Sequence, residues 1–175
     1  MTPTMLSALW VFLSISIALG QLLAAGQSDW LVHGSLSQGL YANCYLHECQ
    51  LRTNWWPLIL LSAYLFGISI LFLSSLISVP FLIFSSTSKP LQIVSNCQFV
   101  AVLLTGLVVV SVPMDMEDIH CTTNQLIKSL YCRVGWAYAF ACVLSLISMC
   151  CPIMGRLLAD HRKSYRFITV PECLL

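Results

Sequence analysis

WWPLILLSAYLFGISILFLSSLISVPFLIF, the stretch from Trp55 to Phe84, contains no charged residue from end to end. A bilayer core of roughly 30 Å takes about 20 apolar residues in a helix, and this run exceeds that. It has length to spare for tilting or for projecting beyond the lipid. Pro57 suits the first turn of such a helix, where no backbone N–H is needed. Everything else in the chain is read from this segment outward.

The rest of the composition agrees with a lipid solvent. Of 175 residues, 58% are hydrophobic and only 9% are charged, far from globular usage. A soluble chain of this length could not hide so much apolar surface. A formal net charge of +1 and the lack of a basic patch interleaved with aromatics argue against nucleic-acid binding.

Three further segments can span: about 4–25, about 91–112 and about 134–158. Backbone exposed to lipid must satisfy its own hydrogen bonds, so all four are read as helices. Pro80, Pro113 and Pro152 are expected near helix ends. The fold class is an all-α membrane protein, a single four-helix transmembrane bundle over 1–175. Its connections are outer loops 27–54 and 114–131, with a tail at 159–175. The first segment has a rival reading as a signal peptide, because LLAAGQS (Leu22–Ser28) offers small residues for cleavage. The lack of a positive n-region and the length of the apolar run favour retention.

Orientation follows the Lys/Arg bias. Lys89, Arg156, Arg162, Lys163 and Arg166 fall on one face, and Arg52, Lys128 and Arg133 on the other. Both termini are therefore expected in the cytosol, with the two longer loops outside and the plasma membrane as the expected home. The nine cysteines divide accordingly. Cys44, Cys49, Cys121 and Cys132 lie in or beside the outer loops, in an oxidising compartment, and form an even set with three pairings. Cys44–Cys49 with Cys121–Cys132 is the most economical. Cys97, Cys142, Cys150, Cys151 and Cys173 lie in helices or the cytosol. The adjacent Cys150 and Cys151 are candidate palmitoylation sites.

The last span opens with YCRVGWAYAFACVLSL, Tyr131 to Leu146. Trp136 and Tyr138 are expected at headgroup depth as interfacial anchors, and Arg133 can reach water or the acidic run Asp115, Glu117 and Asp118. Anchoring accounts for these residue types but not for their order.

That order, Cys132, Gly135, Trp136 and Tyr138, resembles the Cys-x-x-Gly-Trp-x-Tyr opening of the last helix in the LHFPL tetraspan family (lipoma HMGIC fusion partner-like). The tail RFITVPE, Arg166 to Glu172, looks like the end of a short family member. Trp30, then Gly39, Leu40 and Tyr41, then Cys44 and Cys49, approximate the first-loop signature of the wider claudin-like superfamily. The resemblance implies a claudin-like fold with a small extracellular β-sheet from the first loop. Three departures stand beside it. Cys44 and Cys49 lie closer together than in claudins, the first loop is about half as long, and VPMDMEDIHC replaces the family's Gly-Trp-Asp stretch after helix three.

Motifs for chemistry are sparse. No Asp, Glu, Lys, Arg or His lies well within a span, which argues against a pump or secondary transporter. Gln21, Gln92, Asn96 and Gln98 are read as caps or helix–helix hydrogen-bonding residues. Small residues recur at helical spacing: Ala137, Ala141 and Ser145, Ser14 and Ala18, and Gly67 and Ser75. Such stripes let helices approach closely, chiefly within the bundle and alternatively towards a partner. A membrane redox enzyme needs Cys-x-x-Cys, and none occurs. Cys44, His47, Glu48 and Cys49 are metal-ligand types, but cysteines outside the cell are oxidised more readily than metallated. His33, His120 and His161 are scattered. PECLL at the end is not a prenylation box.

The functional expectation is a non-enzymatic protein without a cofactor, surrounded by membrane lipid. The family resemblance implies an auxiliary subunit that helps traffic or position a larger integral membrane complex, such as a channel or receptor. The alternative is a claudin-like adhesion or barrier protein that associates with further copies of itself.

Overall fold

The computed structural model describes residues 3–33, 36–45, 48–84, 88–120 and 133–169. Ten elements follow in chain order: α1 (Pro3–Ala25), β1 (Leu31–His33), β2 (Leu36–Gln38), β3 (Ala42–Tyr45), β4 (Glu48–Leu51), α2 (Trp55–Phe84), α3 (Lys89–His120), β5 (Arg133–Val134), α4 (Trp136–Ser148) and α5 (Cys150–Thr169). Four stretches are helical, long and apolar enough to cross a bilayer: Met5–Ala25, Trp55–Phe84, Lys89–Met114 and Trp136–Ser164. The protein is a multi-pass membrane protein.

The helices close into a ring. α2 packs between α1 and α3, α3 packs against α4 and α5, and α1 completes the circuit against both of these. Ile17, Ala18, Ile68, Leu71, Ala101, Val108, Ala137 and Ala141 fill the centre. Phe12, Leu73, Leu107 and Val110 point outward and are more than half exposed. An apolar surface of this kind suits lipid rather than water. The small-residue stripes serve the bundle's own packing. Ser14, Ala18, Gly67, Ser75, Ala137 and Ala141 are all buried, and Gly67 lies against Ala101 and Thr105 of α3.

At one end sits a five-stranded antiparallel sheet in the order β4-β3-β2-β1-β5. Its fifth strand comes from the second long connection rather than the first. Arg133 and Val134 had been expected to open the last helix. They are instead strand, paired with Val32 and Leu31, and the helix begins at Trp136.

The expected helix bounds change elsewhere too. α3 runs past Pro113 to His120, well beyond the predicted end near 112. A mid-helix proline strips the carbonyl four residues earlier of its partner. That carbonyl is Val109, and the Tyr138 hydroxyl donates to it at 3.2 Å. The neighbouring helix thus supplies the missing hydrogen bond. Pro80 lies inside α2 as well. The last span is two helices, not one. The Met149 N–H bonds Leu146 at 3.3 Å, a tightened i→i−3 turn, just before Pro152. Pro152 has no N–H to return to Ser148, so the α-ladder is interrupted at this level. α5 then continues to Thr169, through much of the predicted tail.

Arg162, from that continuation, donates to the carbonyls of Phe81 (3.2 Å) and Leu82 (2.9 Å). These are among the last four carbonyls of α2, which lack partners within their own helix. A basic residue counted for topology therefore also caps a helix.

Candidate functional site

The structure gathers its distinctive residues at two joints, one at the sheet end of the bundle and one deep within it.

Trp30 is the centre of the first joint. It is fully buried, and its indole N–H donates to the Ala24 carbonyl at 2.8 Å. Ala24 lies in the last turn of α1, and its carbonyl also accepts from the Gln27 N–H at 3.2 Å, so the indole adds a second bond at the helix end. The ring meets Tyr64 of α2 edge-on, with centroids 5.8 Å apart, and Tyr138 of α4 at 5.9 Å, tilted. Such aromatic pairs add to plain area burial. The backbone of Trp30 takes part as well: its N–H donates to Gln38, and its carbonyl accepts from Gly135. One residue thus ties the sheet to α1, α2 and α4.

The β2–β3 hairpin tip docks beside it. Leu40 is fully buried, and the Tyr41 hydroxyl donates to the Gly26 carbonyl at 3.1 Å, just past the end of α1. Gly39 lies so near the chain before Trp30 that a Cβ there would stand 2.8 Å from both the Gln27 carbonyl oxygen and the Ser28 Cα. Gly135 is more constrained still. A Cβ would collide with the Asp29 carbonyl, which is backbone and cannot move aside. Absence of a side chain here lets β5 reach β1.

Trp136 does not cover this contact. It lies outward, more than half exposed, with its indole N–H donating to an Asp29 carboxylate oxygen at 3.3 Å. Tyr138, expected as an interfacial anchor, faces inward between Trp30 and Val109.

Cys44 and Cys49 face each other across β3 and β4 and form a disulfide. The local pairing expected of these two is correct. The companion bridge, Cys121–Cys132, lies outside the described residues, as do His47 and Cys173. Among the described residues, no group of three or more His, Cys, Asp or Glu is positioned to hold a metal ion.

The second joint is polar and surrounded by apolar side chains. The Trp10 indole N–H is shared between Gln98 Oε1 (3.1 Å) and the Cys151 carbonyl (2.8 Å). Gln98 Nε2 donates in turn to Ser14 Oγ and Ser75 Oγ, each at 3.4 Å. Both serine hydroxyls pass their protons to their own helices, Ser14 to the Trp10 carbonyl and Ser75 to that of Leu71. Beside them Ser95 donates to the Pro152 carbonyl at 2.7 Å. One glutamine therefore links α1, α2, α3 and, through Trp10, α5. Every donor in this network has an acceptor, as a buried network requires.

Of the two roles expected for Gln98, cap or helix–helix bond, the structure selects the second. The residue lies well inside α3. Asn96 is exposed and accepts from Arg156 at 3.2 Å, and Gln92 is exposed as well. Gln21 is neither a cap nor a bonding residue. It is fully buried, and both of its amide atoms lack a partner among the described residues, as do Tyr64 Oη and Ser145 Oγ. Of the two candidate palmitoylation sites, Cys151 is buried against the core, so only Cys150 offers an exposed thiol.

Sequence reasoning missed Trp10 altogether. Its signal was position: a tryptophan well inside an apolar span, away from the interfaces where the residue is usually enriched. No protein-family model matches this chain, and no curated protein matches its sequence.

Proposed function

We propose that the protein is a non-enzymatic auxiliary subunit of the claudin-like kind, with both termini cytosolic and the sheet outside the cell. In this reading it binds a larger integral membrane complex and helps to traffic or position it. The observation that carries the proposal is the union of sheet and bundle through Trp30. It makes the sheet a stiff outer projection of the membrane domain rather than a loop that moves independently. β4, at its far edge, is exposed along its whole length. Leu51 at its end and Tyr45 of the neighbouring β3 are large side chains more than half exposed. An unpaired strand edge with apolar neighbours is a surface built for another chain.

The LHFPL resemblance points the same way, because Trp30, Gly39, Leu40, Gly135 and Tyr138 all belong to the joint that fixes the sheet. The same exposed edge also favours the second reading, a claudin-like adhesion protein whose copies associate laterally.

Purification of the tagged chain from native tissue in mild detergent, against a matched control, separates the two. A stoichiometric channel or receptor subunit recovered with it is the expected result. Recovery of the chain alone, as a ladder of homo-oligomers after light cross-linking, would replace the auxiliary reading with the adhesive one.

A further inference from the structure

At the bundle end away from the sheet, α3 and α5 diverge around a cavity of about 240 Å³ lined by Gln92, Asn96, Arg156 and Asp160. The polar side chains are paired by helical spacing. Gln92 and Asn96 are four apart on α3, and Arg156 and Asp160 are four apart on α5, so each pair shares a face. Asn96 accepts a hydrogen bond from one Arg156 nitrogen at 3.2 Å, which orients the guanidinium and leaves its other donors open. Asp160 is exposed and makes no ion pair or hydrogen bond among the described residues.

A second cavity, of about 380 Å³, shares Asn96 as a wall residue with the first. Apart from Asn96 it is walled by apolar or weakly polar side chains: Ile93, Cys97 and Val100 of α3, and Ile70 of α2. From Asn96 it runs about 6 Å along α3 towards the middle of the span. A polar notch with one charge of each sign and an apolar groove directed at the bilayer centre thus lie on either side of Asn96.

We propose that this composite site binds phosphatidylethanolamine. Arg156 takes the phosphate, Asp160 takes the primary ammonium, and an acyl chain lies in the groove past Cys97. The charge pattern selects the headgroup. Guanidinium–phosphate contact is a strong, charge-assisted pairing, and a carboxylate suits an ammonium that still carries N–H donors. The choline headgroup has no such donor. The glycerol headgroup brings no cation for Asp160. A serine headgroup sets its own carboxylate against Asp160. The proposal rests on the membrane reading and on neither choice of protein partner.

The test is native mass spectrometry of the full chain in detergent. Phosphatidylethanolamine, -choline, -serine and -glycerol with identical acyl chains are titrated in. The wild type is expected to retain the ethanolamine lipid about fivefold over each of the others, the scale of one good exposed ion pair. Asp160→Asn should abolish that preference. Arg156→Gln should lower retention of all four lipids. Cys97→Trp should fill the groove and lower all four alike, leaving their order unchanged.

Equal retention of the ethanolamine and choline lipids by the wild type would overturn the proposal. So would a preference for the anionic lipids, or a preference for ethanolamine that survives Asp160→Asn. Unchanged retention in Cys97→Trp would remove the groove from it. Asp160 is exposed and the asparagine is nearly isosteric, so that variant decides the matter even if Arg156→Gln fails to fold. None of these readouts depends on recovering a protein partner, so the lipid site and the auxiliary function stand or fall separately.

Discussion

Trp30 and Trp10 are both fully buried, and both donate an indole N–H to a backbone carbonyl of another element or another turn. Their settings are opposite. Trp30 closes a helix end, beneath a sheet and between two tyrosines. Trp10 lies against a mid-span glutamine and a carbonyl next to Pro152, with serines completing the network. The sheet-end joint is therefore held mainly by packing of large rings, and the deep joint mainly by hydrogen bonds. Burial of rings tolerates little truncation. A hydrogen-bond network in a membrane contributes less per bond, because the separated helices find other partners.

That contrast can be broken first at Trp30. Trp30→Ala removes the ring from a packed site and should cost about 3–5 kcal/mol. Thermal unfolding in detergent should show a large drop, accompanied by proteolytic cleavage within the first loop. Trp30→Phe keeps much of the ring and loses the bond to Ala24, so it should cost less than the alanine variant. Equal losses in the two variants would mean that the hydrogen bond, not the ring, dominates, and the contrast with Trp10 would vanish.

Gly135→Ala comes next, at about 1–3 kcal/mol, the usual range for forcing a methyl group into a packed site. The added Cβ meets the Asp29 carbonyl, so β5 must separate from β1. Hydrogen exchange at the amides of residues 135 and 137, which donate to the Trp30 and Asp29 carbonyls, should accelerate while those of α2 stay protected. Acceleration throughout the bundle would show that the sheet and the helices unfold as one unit.

Gln98→Leu tests the deep joint, with an expected cost of about 1 kcal/mol. It strands two serine oxygens that already donate to their own helices, and Trp10 keeps the Cys151 carbonyl. A loss as large as that of Trp30→Ala would make the clasp, not the sheet-end joint, the stronger of the two.

The two joints were unequally legible in the sequence. Hydrophobic runs located the spans, since lipid demands unbroken apolar helices, and α2 was read to the residue. The sheet-end motif was visible because Trp30, Gly39, Leu40 and Gly135 are unusual types for their places. What they touch was not visible, because Trp30 meets Tyr64 and Tyr138 only after three helices assemble. β5 was misread for the same reason. Arg133 and Val134 carry no strand signal of their own and become strand by pairing with β1. The extension of α3 past Pro113 depends on Tyr138, a residue from another helix. The deep clasp was hidden more thoroughly still, since a glutamine in a span reveals its partners only through depth and rotation. Gln21 and Gln98 are alike in sequence terms. The structure separates them completely.

Gln21 therefore gives the smallest effect and the sharpest sign. Gln98 has hydrogen-bond partners on α1 and α2, whereas both amide atoms of Gln21 are buried with none among the described residues. A buried polar group without a hydrogen bond is a net cost, and replacing it with an apolar side chain of similar size removes that cost. Gln21→Leu should thus leave stability unchanged or raise it by up to about 1 kcal/mol, where Gln98→Leu lowers it. The melting temperatures of the two variants, measured side by side in one detergent, compare the same substitution in neighbouring layers of one bundle. If Gln21→Leu destabilises as much as Gln98→Leu, the Gln21 amide is engaged in the assembled protein, and the surroundings of Gln21 become the next place to look for what it holds.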